Sequence, residues 1–450
     1  MTRSIVVVGG GITGLVSAYL AAKEGKRVTI VESAPKIGGL LNTFEIGGSQ
    51  LEFFYHHFFT HDAELSWLLD ELDLKKEVLY KKTTMGVFRK SRTWDFNTPF
   101  DLLRFKPISW IGKVRFVLTT LFLTKVAQWR SYEYVPAYAW FRKWAGKSAT
   151  QALWGPMLEV KFGPYFDKIP LAWMIGRLRQ RMNSRKSGDE RLGYLKGSLS
   201  VLCDRLSERL VEMGVDIRAN SPLTEIEMNG NSIARIHTGS GTVEGDQYLF
   251  TLPTVHLGKI KGLPATVKER IDNTEYFGVY CTILSLKRSL SDVYWLNVAD
   301  GGFAFGGVIE HTNLVPATEY NGQNLVYLSR YFAHSEDISS WSKDKVEEVM
   351  VSDLKRIYPD LKDEEINSVH LFRSNTAAMV NDLNFSAKVP SCQTIIPNMF
   401  LCNMAHIYPD ERSVNNSIRI AAEAIMTMGM DGQSVPKNLS LSGKIGFLNS

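Results

Sequence analysis

The first residues whose types and spacing could do chemistry are glycines. Gly9-x-Gly11-x-x-Gly14 follows the unbroken apolar run Ile5 to Val8 and opens a stretch whose apolar residues, Ile12, Leu15, Val16, Tyr19 and Leu20, recur at helical spacing. Strand, glycine turn and helix in that order can hold a phosphate. Gly9 permits the tight turn, Gly11 lets the backbone approach a pyrophosphate, and Gly14 lets helix and strand pack closely. The helix N-terminus, with Ile12 and Thr13 in its first turn, offers free N–H groups and a partial positive charge to phosphate oxygens. A second run, Arg27 to Val31, ends at Glu32-Ser33. Glu32 lies 18 positions beyond Gly14, where a carboxylate accepts hydrogen bonds from an adenosine ribose. The N-terminus is therefore expected to bind a dinucleotide.

The residues that follow, Glu32-x5-Gly38-Gly39-Leu40, resemble the second FAD motif of the flavin amine oxidase and protoporphyrinogen oxidase superfamily, which includes phytoene desaturases and UDP-galactopyranose mutase. Many members carry arginine where this chain has Leu40, and in this it is more similar to the protoporphyrinogen-oxidase-like branch. The resemblance implies FAD. Gly38 and Gly39 would pass beneath its ribityl-diphosphate with Lys36 nearby, Leu223 would touch the adenine through its backbone, and Tyr55, His56 and His57 would lie near the isoalloxazine ring. "NMFLCNMAHIYPDERSVNNSIRIAAEAIMTMG" resembles the closing motif, a strand, an acidic loop and a helix ending at Gly429. In the family that helix aims its N-terminus at the flavin pyrimidine, which makes Asp410, Val414, Asn415 and Ile418 candidate contacts. Cys402-Asn403 replaces the usual small residues there. No cysteine or histidine is placed for a covalent linkage, so the expected FAD is non-covalent.

The expected fold is α/β, a Rossmann-like FAD-binding domain interleaved with a substrate domain of mixed β-sheet plus helices. Residues 1–85, 191–255 and 391–450 would form the discontinuous FAD-binding domain, and 86–190 (helical) with 256–390 (strand-rich) the substrate domain. At 450 residues the chain is long enough for two cores. With 44% hydrophobic and 22% charged residues it is an ordinary globular composition. A net charge of +5 suits an anionic substrate or an acidic membrane surface but is too small to argue for nucleic acid. The scattered cysteines Cys203, Cys281, Cys392 and Cys402 read as reduced buried thiols, hence a cytoplasmic location. No run is long and apolar enough to span a membrane. The stretch from Asp431 to Ser450 is turn-rich and expected to pack loosely.

The segment 101–130 alternates Trp110, Phe116, Leu118, Leu121, Phe122 and Trp129 with Lys106, Lys113, Arg115, Lys125 and Arg130. Two readings stay open: a helix lying in a membrane interface, peripheral to its inner face, or a buried helix pair with solvated basic residues. Glu310, His311, Arg330 and Tyr331 fall near predicted strand ends, and His57, Arg330 and Tyr331 are the candidate catalytic side chains. Lys161 could project toward the flavin, as a lysine does in some amine oxidases. Neighbouring histidines on an extended strand point apart and do not chelate together, so no metal site is expected. Asp62 reads as a helix N-cap.

The leading functional reading is an FAD-dependent oxidoreductase taking a hydride from a small organic substrate at flavin N5. No second glycine fingerprint supports an NADPH domain, which favours oxygen, a quinone or another electron acceptor. Alternatives are a non-redox mutase resembling the UDP-galactopyranose enzyme, with Arg177, Arg181 or Arg330 clamping a diphosphate, and a flavin-binding protein without turnover.

Overall fold

The computed structural model describes residues 3–431 and 435, apart from 184, 187–188 and 272–273, so the turn-rich C-terminal stretch lies outside the described residues but for Asp431 and Val435. Its centre is β1 (Ser4–Val8), buried at every residue because both faces are covered. Around it, β2 (Arg27–Val31), β3 (Asp216–Arg218), β4 (Gln247–Phe250) and β5 (Met399–Leu401) form one parallel sheet in the order β3-β2-β1-β4-β5. Side chains alternate across it. Ile5 and Val7 join the core under α1 (Ile12–Lys23), while Val6 and Val8 join Ile226, Ile236 and Val243 of an antiparallel layer on the opposite face.

The helices that matter to the site are α2 (Ala63–Glu71), α3 (Trp110–Lys125), α4 (Gly155–Phe162), α5 (Leu171–Asn183), α6 (Ser200–Glu212) and α7 (Val414–Thr427). Both α6 and α7 pack beside α1, with Leu202, Leu206, Ile418 and Ile425 in its core. A seven-stranded mixed sheet forms the second half, and its longest buried strand, Tyr276–Leu286, lies next to the edge strand Ile366–Met379. One face meets the chain between residues 44 and 59, through Cys281, Ile283 and Tyr327. The other is covered by a helix, Lys343–Ile357, which presents Val346, Met350 and Leu354 at four-residue spacing. The sequence reading treated that region as strands. The expected strands are there, and the helix lies among them because its apolar face needs the sheet to cover it. The α/β architecture, a Rossmann-like sheet interleaved with a mixed-sheet half, is the one expected.

All four cysteines are buried and unpaired. Among the described residues no helix is long and apolar enough to cross a membrane. Glu52, fully buried, joins the halves. Its carboxylate accepts from Tyr194 Oη at 2.5 Å and Leu199 N at 2.6 Å, and its carbonyl accepts from Tyr327 Oη at 2.8 Å.

One expected cap is corrected. Asp62 occupies the N-cap position of α2 but gives no side-chain cap, because its carboxylate accepts instead from Phe59 N at 2.8 Å. The cap arrives from 350 residues away: Asn415 Oδ1 accepts from Leu65 N at 3.0 Å, and Asn415 Nδ2 donates to Glu64 Oε2 at 2.8 Å. Substituting Asn415 by Ala strands a buried N–H and weakens the Glu64 carboxylate's solvation, which together cost about 2–4 kcal/mol. The expected outcome is a lower thermal midpoint for N415A than for the wild type, and an unchanged midpoint would show that the α2–α7 contact carries no stability.

Candidate active site

Three remote segments meet at the start of α1. A Cβ on Gly14 would stand 2.0 Å from Gly9 O, so only glycine permits the crossing of turn and helix, whereas a Cβ on Gly11 would meet nothing within 4 Å. The turn is therefore packed behind and open in front. Gly11 is the N-cap of α1 and no side chain caps that end, leaving its first-turn N–H groups, Ile12 and Thr13 among them, for an anion. Gly38 N donates to Gly10 O at 2.8 Å, clasping the second glycine pair to the first. Glu32 is held by Gly10 N and Ala34 N, each 2.7 Å from one of its oxygens, with Ser33 Oγ at 3.1 Å. Asn42 Oδ1, beside Gly38, is buried without a hydrogen-bond partner.

At the far end, α7 begins at Ser413, whose Oγ accepts from Asn416 N at 3.1 Å and leaves the Val414 and Asn415 N–H groups open. The two residues before this cap carry charge into a cavity walled by Phe162, Trp173, Phe277, Tyr331 and Tyr408. Lys161 Nζ of α4 lies 2.8 Å from Glu411 Oε2 and 4.5 Å above the Trp173 ring, while Arg177 of α5 approaches Glu411 Oε2 to 3.7 Å. Arg412 donates to Tyr331 Oη and to Ala377 O. Tyr331 in turn is hydrogen-bonded to Tyr55, so the 55–57 segment and the approach to α7 adjoin.

Charge in this cluster is uneven. Burial alone would raise Glu411, but Lys161, Arg177 and Arg412 outweigh it and hold its pKa at about 2. Burial also lowers Lys161, which Glu411 opposes, and leaves it at about 8. Lys161, Arg177 and Arg412 thus face Glu411, with Asp410 beside them 3.7 Å from Arg419. Burial depresses His56 to about 4 and, aided by Arg181 and Arg177, His57 to about 3, so both rings are neutral at pH 7.

The comparisons with known proteins agree with this geometry. The family model described as flavin containing amine oxidoreductase matches residues 12–409. The chain belongs to that family. It is 24% identical over 260 residues to the coproporphyrinogen III oxidase of Staphylococcus aureus, covering 50% of this chain and 55% of that protein. It is 22% identical over 395 residues to the 15-cis-phytoene desaturase of Solanum lycopersicum, covering 79% and 64%. The chain thus spans only about half to two-thirds of the length of these relatives. Similar folds include reduced UDP-galactopyranose mutase (TM-score 0.75, 14% identity, 99% and 98% covered) and putrescine oxidase bound to putrescine (TM-score 0.71, 15% identity, 95% and 99% covered).

The residues present fit the flavin that this family contains, as FAD. The open turn at Gly11 and the uncapped start of α1 suit a diphosphate, the fixed Glu32 carboxylate a ribose, Asn42 Oδ1 a hydroxyl donor, and the open N–H groups of α7 an electron-rich ring edge.

In this member of the family the other sequence candidates fall as follows. Lys36 lies 3.7 Å from Asp204 on α6. Leu40 is half-buried in the one-turn helix Gly39–Leu41. Leu223 opens the first strand of the antiparallel layer, two residues after Ser221 N donates to Glu32 O at 2.8 Å. Asp410 lines the cavity and lies 3.7 Å from Arg419. Asn415 is engaged with α2, as above, and Ile418 is wholly buried in the α1–α7 core. His56 Nδ1 lies 2.6 Å from Phe54 O. His57 is ringed by Phe59, Tyr294 and Trp295, with Nδ1 3.1 Å from Tyr294 Oη, and is absent from the cavity wall. Of the two strand-end neighbours only Tyr331 reaches the cavity. Arg330, on the other side of the pleat, pairs with Glu336 at 2.7 Å. Glu310 accepts from Ser289 Oγ and from the Leu290 and Ser291 N–H groups, and His311 is buried 2.8 Å from Tyr320 Oη. Sequence reasoning passed over Glu411 and Arg412, though their position immediately before a serine cap was the available signal. Among the described residues no cluster could hold a metal ion.

The buried histidines set an acid limit. Unfolded, His57 takes up a proton as pH falls through 6.5; folded, it resists until about 3. Its contribution is therefore present above pH 6.5 and lost progressively below. H57Q is expected to lessen the fall of unfolding free energy between these values by up to one proton, about 1.4 kcal/mol per pH unit. Denaturant titrations at several pH values check this, and an unchanged slope would mean that His57 is charged in the fold.

Proposed function

We propose that the protein is an FAD-dependent oxidoreductase that oxidises or desaturates a small organic substrate in the cavity between α7 and the mixed sheet. The observation that carries this reading is the clasp of the Gly38–Gly39 pair onto the open Gly9–Gly14 turn, with α7 sharing the core of α1. We assign Gly9, Gly11, Ile12, Thr13, Gly14, Glu32, Gly38 and Gly39 to the nucleotide end, and the N–H groups of Val414 and Asn415 to the ring end. When bound, the flavin supplies a two-electron acceptor for hydride. The chain supplies the rest: Phe162, Trp173 and Phe277 exclude water, Tyr331 is held by Arg412 at the wall, and the α7 dipole favours negative charge at its N-terminus.

The site also selects by charge. Lys161, Arg177, Arg412 and Arg419 outnumber Glu411 and Asp410 around it, an excess of positive charge that repels an ammonium group and favours a neutral or carboxylate-bearing substrate. Arg177, Arg181 and Arg330 are each within ion-pair distance of Glu411, Glu190 or Glu336, which argues against a free diphosphate clamp. The buried unpaired thiols support a reducing, cytoplasmic compartment.

The test is anaerobic spectroscopy of the purified protein. The expected outcome is a bound-flavin absorption that bleaches with neutral or anionic candidate substrates and at least about ten-fold more slowly with primary amines. Conversion of UDP-galactopyranose only after prior reduction would replace this reading with the mutase, and a protein without affinity for FAD would remove it.

A further inference from the structure

The helix α3 is built inside out. Trp110, Ile111, Val114, Val117, Leu118 and Leu121 form one continuous stripe at helical spacing, and each is between 43% and 75% exposed. The opposite face buries Gly112, Phe116, Thr119 and Leu123, and Lys113 and Thr124 are buried at the edge of the stripe. The buried threonines are satisfied by their own helix: Thr119 Oγ1 donates to Arg115 O at 2.7 Å and Thr124 Oγ1 to Thr120 O at 2.8 Å. A helix that faced only water would turn the other way. The stripe is extended by Phe100 and Leu103 of the short helix Pro99–Arg104, tied on by Lys113 Nζ donating to Leu103 O at 2.5 Å, and by Trp144, whose carbonyl accepts from Arg115 Nε at 2.7 Å.

We propose that this face seats the protein on an anionic bilayer surface, with α3 lying in the plane of the interface. Charge chooses this occupant. Residues 99–150 hold nine basic side chains and two acidic ones, Asp101 and Glu133, so this segment alone exceeds the net charge of +5 of the whole chain. Asp101 is spent capping its own helix, and Glu133 is buried. Arg104, Lys106, Lys125 and Lys143 are exposed beside the stripe, long enough to reach headgroups while the apolar residues enter the acyl boundary. Trp110 and Trp144, each under a lysine ammonium, carry the amphipathic character of the interface level. A second copy on this face would oppose two like charges of this size, and α3 at 16 residues is too short to cross.

The test is flotation of the flavin-loaded full chain with phosphatidylcholine vesicles, with and without phosphatidylglycerol. The expected result is flotation with the anionic vesicles at low salt, falling about ten-fold or more when phosphatidylglycerol is omitted or salt is raised. The variant W110S/I111S/L118S, altered only at exposed positions, is expected to lose flotation while keeping the wild-type flavin spectrum and thermal midpoint. Should it fold poorly, the surface charge reversal R104E/K106E/K125E is expected to lose flotation equally. No flotation at low salt, flotation by both variants equal to wild type, or a lipid-free dimer that the serine variant dissociates would each overturn the proposal, the last by showing that a second copy covers the face.

Discussion

Everything in this molecule depends on one close crossing. The backbone of α1 passes so near the end of β1 that Gly14 would press a side chain into Gly9 O, and this crossing turns the first-turn N–H groups outward with nothing in front of them. Anion binding at a helix N-terminus needs open donors and a fixed dipole, and both follow from the crossing. The second glycine pair can reach this turn only as backbone, which it does through Gly38 N and Gly10 O. Because α7 packs against α1, the distance between the start of α1 and the start of α7 is set by two helices in contact rather than by loops.

The approach to α7 is controlled by electrostatics in a small space. Glu411 stands among Lys161, Arg177 and Arg412, and without it three cations would repel one another in a cavity with aromatic walls. The pair Lys161–Glu411 therefore holds α4 against the approach to α7, and Arg412 extends the same hold to Tyr331 on the mixed sheet. Asn415 fixes the other side by capping α2. The start of α7 is thus tied to α2, α4 and the sheet at once, which gives its two open N–H groups a fixed direction.

What could be read in the sequence was what is local or periodic. The glycine turn, the terminal acid of β2, the α7 stop at Gly429 and the strands of the mixed sheet are each set by neighbours within about one turn or one pleat. What could not be read was long-range choice. Asp62 has the right type for a cap, yet Asn415 provides it from 350 positions on. Arg330 and Tyr331 are adjacent in sequence and opposite in space, and only the sheet's packing decides which faces the cavity. The mixture of basic and large apolar residues along α3 left open whether it is buried or faces outward, because that depends on what packs behind it.

That backing helix links the outer face to the site. On α5, Arg177 and Arg181 are four residues apart and share a side, reaching Glu411 and Glu190. Arg179, about 200° round the helix from Arg177, turns the other way. It donates to Thr124 O at 3.1 Å and to Ala127 O, the carbonyls at the end of α3. Those carbonyls lack intrahelical partners, so a guanidinium there satisfies them and complements the helix dipole. One helix therefore holds the end of α3 through Arg179 and approaches the charged cavity through Arg177.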